Sequence, residues 1–185
     1  MARIPLPSPE TMTPEQKRVY DNIVTGPRGR LVGPLRAALH RPELAEKWQQ
    51  FGELLRYRTS LPADLSELAI LVTARHTRSD LEWTIHEQMA RNAKLPDGII
   101  ADVRSNRRPR TDNADILMIY DYARELNENN RVSEPVYARV RDRFDAVGVV
   151  ELTALVGYYT MVAMTLNAHE IPLPDGAPPV FTNED

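Results

Sequence analysis

Apolar residues recur at spacings of three and four along most of this chain, and no segment shows the strict alternation of a strand. From Pro42 to about Arg58 they fall at Leu44, Trp48, Phe51, Leu54 and Leu55, the stripe of an amphipathic helix. Asp64-Leu65-Ser66-Glu67 opens a segment in which Leu68, Ile70, Leu71, Val72 and Ala74 crowd together, which predicts a largely buried helix. Ser79-Asp80-Leu81-Glu82 begins another that runs to about Ala93, and a connecting helix is expected over 97–104. Residues 113–128 repeat the period with Ile116, Leu117, Ile119, Tyr120, Ala123 and Leu126. Ser133-Glu134-Pro135 starts a helix that reaches Val147 and stops at Gly148, and Glu151 to about His169 forms a last, long apolar one. Near the start, Thr13-Pro14-Glu15-Gln16 sets a capping threonine before a first-turn proline. Gly26, Gly29 and Gly33, with Pro27 and Pro34, then mark an irregular loop. The predicted fold is all-α.

Both ends read as arms. Residues 1–12 and 172–185 are proline-rich, and proline cannot continue a helix, so each end either lies on a surface, its own or a neighbour's, or hangs loose. The rest reads as one domain spanning 1–185, with its core at about 30–174. Within it, Glu67-Leu68-Ala69-Ile70-Leu71-Val72 matches Glu151-Leu152-Thr153-Ala154-Leu155-Val156 at four of six positions, which suggests two related helical units packed on each other.

Composition narrows the chemistry. The 185 residues include no cysteine, which removes thiol redox, cysteine-ligated metals and disulfides. A net charge of -3 offers no general attraction to nucleic acid or an anionic membrane, and the arginines at 104, 107, 108 and 110 read as a short solvated loop. No apolar stretch is expected to approach the about 20 residues of a membrane span, and the N-terminus lacks a secretory pattern. A cytoplasmic location is the expectation.

The acid/base candidates gather in one stretch. Glu82 and His86, four residues apart, sit about 40° apart on one helix face. Glu67 lies on the preceding helix, across a short turn that can bring it to the same face. Two carboxylates and a histidine in a partly apolar pocket suit general acid/base catalysis. The bland alternative is that Ser79-x-x-Glu82 is a capping box and the Glu–His pair an ordinary surface pair. A first-turn position also favours an ionised Glu82 through the helix dipole, unless burial opposes it. The same residues read less well as a metal site, because the second histidine usual at catalytic zinc is missing. Arg75, about 80° around the helix from Glu67, is the candidate to hold an anionic substrate, or else half of an interhelical ion pair. Trp83 and Tyr158-Tyr159 suit core or interface positions.

Glu67-Leu-Ala-Ile-Leu-Val-Thr-Ala-Arg75 followed by Glu82-Trp83-Thr-Ile-His86 resembles the core motif of the carboxymuconolactone decarboxylase-like group, which shares its fold with the alkylhydroperoxidase D proteins. The stretch from Val150 to Asn167-Ala168 is similar to the second half of such proteins. The resemblance implies an alkylhydroperoxidase D-like helical bundle and a homo-oligomer, a trimer or hexamer. Laying His86 on the histidine of the peroxidase branch places that branch's two cysteines on Ser79 and Glu82, so peroxide reduction by thiols is excluded. The decarboxylase branch implies a cofactor-independent, metal-free lyase acting on a small carboxylated lactone or ring-cleavage product. By resemblance His86 is its proton shuttle, Glu82 the partner that orients His86, and Glu67 a second acid/base, with Arg75 and Trp83 as substrate contacts. The alternative is a non-catalytic oligomeric helical module that binds a small ligand or partner.

Overall fold

A computed structural model describes residues 2–31, 33–174 and 177–181. Every element in it is helical: α1 (Pro14–Thr25), α2 (Leu35–Ala38), α3 (Pro42–Tyr57), α4 (Ala63–His76), α5 (Asp80–Asn92), α6 (Asp97–Arg104), α7 (Ala114–Asn129) and α8 (Glu134–Ala168). The all-α expectation holds. The short α2 follows directly on the loop that the glycines and prolines mark, with Pro34 at its N-cap.

The bundle is organised around α4. Leu68, Ala69, Leu71 and Ala74 on this helix are fully enclosed, because α5, α6, α7 and α8 pack around it. Crowded apolar residues with no polar stripe leave a helix no face to offer water, so it takes the central place. Its one deeply buried hydroxyl, on Thr73, donates to the Ala69 carbonyl at 2.9 Å and accepts from Asn127 of α7 at 3.1 Å. A left-handed residue, Arg78 (φ 52), ends α4, and Ser79 N–H donates back to the Ala74 carbonyl at 2.9 Å. The chain therefore reverses at once and α5 returns along α4.

The ends of the elements follow local chemistry in most places. Thr13 and Gln16 form a full capping box on α1. Asn113 caps α7 by accepting from Asp115 and Ile116. The arginines after α6 are neutralised at short range: Arg107 and Arg110 bond the buried Asp102, and Arg108 pairs with Asp121. The internal echo does not make a second site. Glu151, the counterpart of Glu67, accepts from the backbone and hydroxyl of Ser60 and ties α8 to the turn before α4.

Two expectations change. The break between the last two helices falls at Asp145 (φ 57, ψ -175), inside α8, and not at Gly148. Gly148 stays helical and buried because a side chain there would meet the Phe144 Cβ at 2.4 Å. Second, α8 is long and apolar enough, by length and composition, to cross a membrane, contrary to the expectation from the sequence. Half of its most apolar window is enclosed by the protein itself. Both arms pack on their own chain. Arg3 N–H donates to the His169 carbonyl and the His40 ring bonds the Pro5 carbonyl, while Asp80 accepts from the backbones of Val180 and Phe181. The expected arm residues 175–176 and 182–185 lie outside the described residues.

Candidate functional site

The α4–α5 hairpin sets Glu67 against His86. His86 Nδ1 donates to Glu67 Oε2 at 2.7 Å, with the ring almost fully enclosed and the carboxylate at the edge of the bundle. Tyr159 of α8 holds the same ring edge-to-face, centroids 4.8 Å apart. Two contacts thus fix the imidazole plane, and Nε2 has no protein partner among the described residues. With Nδ1–H committed to a carboxylate, Nε2 is the basic nitrogen of the neutral ring.

Glu82 is the unusual group. Ser79 is the N-cap of α5 but makes no side-chain cap bond, and among the described residues neither its hydroxyl nor either carboxyl oxygen of Glu82 has a partner. The capping-box explanation therefore fails. At 1 % exposure, burial holds the Glu82 carboxyl well above the usual carboxylate range. Burial thus favours the protonated form of Glu82, against the pull of the first-turn dipole. The expected division of labour is also reversed: Glu67, not Glu82, orients His86.

Glu82 and His86 line one small cavity of about 50 Å³, closed by Ile85 and Val162, by Tyr158 and Tyr159, and by Arg28 and Arg56. Burial pushes both tyrosine hydroxyls above their ordinary value, so they enter as neutral donors or acceptors. A larger hollow of about 460 Å³, with Arg30 and Arg36 in its wall and Pro172–Pro174 across it, shares Gly33 and Ile85 with this cavity.

Arg75 and Trp83 are placed elsewhere. Arg75 is buried beside Tyr120, Arg124 and Asn127, with its guanidinium over the Phe181 ring at 5.1 Å. Trp83 is fully enclosed, donates to Glu87 Oε2 at 3.1 Å and meets Phe181 edge-to-face at 5.5 Å. Together they seat the C-terminal arm, and neither lines the cavity. The cations at the cavity are Arg28 and Arg56, which helical periodicity does not single out. A signal existed for Arg28, which stands in a glycine-bounded loop with Arg30, where an exposed basic tip would need no such glycines. Arg56 lies between two apolar positions of α3 and carried none. Among the described residues no group of three or more metal-ligating side chains is present.

Geometry of this kind defines a pocket lined by a buried carboxyl group and a histidine, beside a central helical hairpin. Residues 42–124, which include the hairpin, match the carboxymuconolactone decarboxylase family. A crystal structure described as an alkylhydroperoxidase AhpD core, an uncharacterized peroxidase-related protein from Ralstonia eutropha JMP134, superimposes with a TM-score of 0.76. It is 14% identical, with 94% of this chain and 93% of that one covered, a likeness of fold. No curated protein matches the sequence. Residues 42–124 of the chain thus resemble the carboxymuconolactone decarboxylase family, and the fold is alkylhydroperoxidase D-like in a chain with no cysteine.

Proposed function

We propose that this protein is a cofactor-independent lyase that acts by proton transfer on a small carboxylated lactone or aromatic ring-cleavage product. The observation that carries the reading is the unpartnered, buried carboxyl of Glu82 in the same cavity as a histidine whose other ring nitrogen is engaged by Glu67. A carboxyl whose burial favours its protonated form, beside a histidine whose Nε2 is turned away from Glu67, suits proton transfer. In the decarboxylation, the bond to the departing carboxylate breaks and its electron pair enters the unsaturated ring system. Glu82 gives its proton to the carbon that receives that charge, and carbon dioxide leaves. The anion left on Glu82 is disfavoured by its surroundings, so it takes back a proton, with His86 as the relay from solvent.

The test is carbon dioxide release from a panel of carboxylated butenolides and ring-cleavage products of aromatic acids. Glu82→Gln and His86→Ala are expected to lower turnover by about 10²–10⁴-fold, and Glu67→Gln by less, since it acts through His86. No release from the parent across the panel, or full activity in Glu82→Gln, overturns the reading.

A second reading, an oligomeric helical module, is favoured by one observation. Val147, Val150, Gly157, Met161 and Met164 follow a three–four spacing along an outer face of α8 and are exposed. We propose that copies of this chain associate on that stripe as a homo-oligomer, a trimer or hexamer. This assembly is compatible with catalysis, and Glu82→Gln separates the two by removing turnover and leaving assembly unchanged.

A further inference from the structure

Arg28 and Arg56 approach the cavity from the 26–34 loop and from α3. Most arginines of the chain satisfy their charge locally, as Arg18 does with Glu46, Arg108 with Asp121 and Arg143 with Asp115. These two have no carboxylate partner among the described residues, a lack they share with Arg75, whose guanidinium lies over the Phe181 ring away from the cavity. Among the described residues Arg28 Nε is buried with no acceptor, and Nη2 bonds the Tyr158 hydroxyl at 3.4 Å. Arg56 donates to the Met89 thioether at 3.0 Å, a weak acceptor, and leans on the Tyr57 ring. Among the described residues neither is within ion-pair distance of a carboxylate. Two guanidinium groups without a carboxylate partner thus line one small cavity.

The backbone is shaped to allow it. A Cβ on Gly52 of α3 would stand 2.0 Å from the Tyr158 hydroxyl oxygen and 2.3 Å from Arg28 Nη2. The missing side chain is the notch through which Arg28 crosses α3 to reach the tyrosine. Half-buried guanidinium groups are costly without a counter-charge, and a carboxylate matches their planar fork of donors.

We propose that Arg28 and Arg56 form an anion-binding site that holds a ligand carboxylate against the Tyr158 hydroxyl, beside Glu82 and His86. The site replaces Arg75 as the anchor and rests on the acid/base reading only for the claim that the ligand is a substrate. The cavity favours a compact planar anion, and the aromatic walls of Tyr158 and Tyr159 flank it.

Trifluoroacetate, followed by fluorine NMR on the intact protein, measures the site without any turnover, with trifluoroethanol as the neutral counterpart. Saturable binding of the anion and none of the alcohol is expected, weakened at least about tenfold in Arg28→Met and in Arg56→Met. Gly52→Ala, which keeps both arginines but displaces one, is expected to weaken it as well, and helical circular dichroism shows that each variant is folded. Arg104→Met, on an exposed residue away from the cavity, is the control and binds as the parent does. Absence of saturable binding in the parent, or unchanged binding in both folded arginine variants, overturns the proposal. Either result leaves the acid/base reading to its own turnover test, and a parent that binds the anion but releases no carbon dioxide defeats only the latter.

Discussion

At the scale of single residues, the decisive feature is a carboxyl group that helix geometry alone would ionise and whose protonated form burial favours. Its folded pKa lies above the ordinary value, so the folded state holds a proton that the unfolded chain gives up. The stability linked to that proton is fully present below about 4.5, the ordinary value, and is lost as pH rises toward the folded pKa. Glu82→Gln carries no such loss. Its melting temperature is expected to exceed that of the parent at pH 8 and to converge with it as the pH falls to 4.5. Parallel curves would mean that Glu82 finds a partner in solution. Glu67, Glu82 and His86 were legible in the sequence because helical spacing and a short turn restrict which faces can meet. Their roles were not. Which carboxylate reaches the imidazole depends on how α4 and α5 are rotated, and neither spacing nor the capping-box pattern contains that rotation.

At the scale of elements, boundaries follow the sequence wherever the signal is local and drift wherever a tertiary contact overrides it. Thr13 and Asn113 cap their helices through their side chains, and Pro42 takes the first-turn position of α3. Gly148 looks like a stop, yet it is the contact point for Phe144, and the true break is the exposed Asp145 with its left-handed φ of 57. That combination of φ and ψ is nearly exclusive to glycine and costs about 1–3 kcal/mol in other residues. Asp145→Gly is therefore expected to stabilise the protein by about 1 kcal/mol, after the added freedom of the unfolded glycine, as read from urea unfolding. A loss of stability would mean that the aspartate makes a contact worth more than its strain. The Ser79 cap fails for a related reason: its hydroxyl is enclosed and has no partner, so residue type did not deliver the expected bond.

At the scale of the whole molecule, the amphipathic patterning leaves an apolar surplus. Val150 at 67 % and Met164 at 63 % exposure lie on the outer stripe of α8, where a heptad-like spacing suits pairing with another helix. If copies associate there, light scattering on the parent reports a trimer or hexamer, and Val150→Glu with Met164→Glu reports a monomer of unchanged helical content. A monomeric parent removes the proposal. The all-helical class, the absence of cysteine and the approach of Glu67 to the helix of Glu82 and His86 were legible in the sequence alone, because helical periodicity, residue inventory and short hairpin spacing are local properties. The anchor did not: Arg75 looked suitable from its helix face, yet a C-terminal aromatic, Phe181, covers it, and residues 28 and 56 take its place at the cavity. Only the packed structure decided that burial raises the Glu82 pKa, that Glu67 holds His86 and that two arginines distant in sequence line one cavity. Each depends on which surfaces exclude water, and enclosure is set by the whole bundle rather than by any one helix.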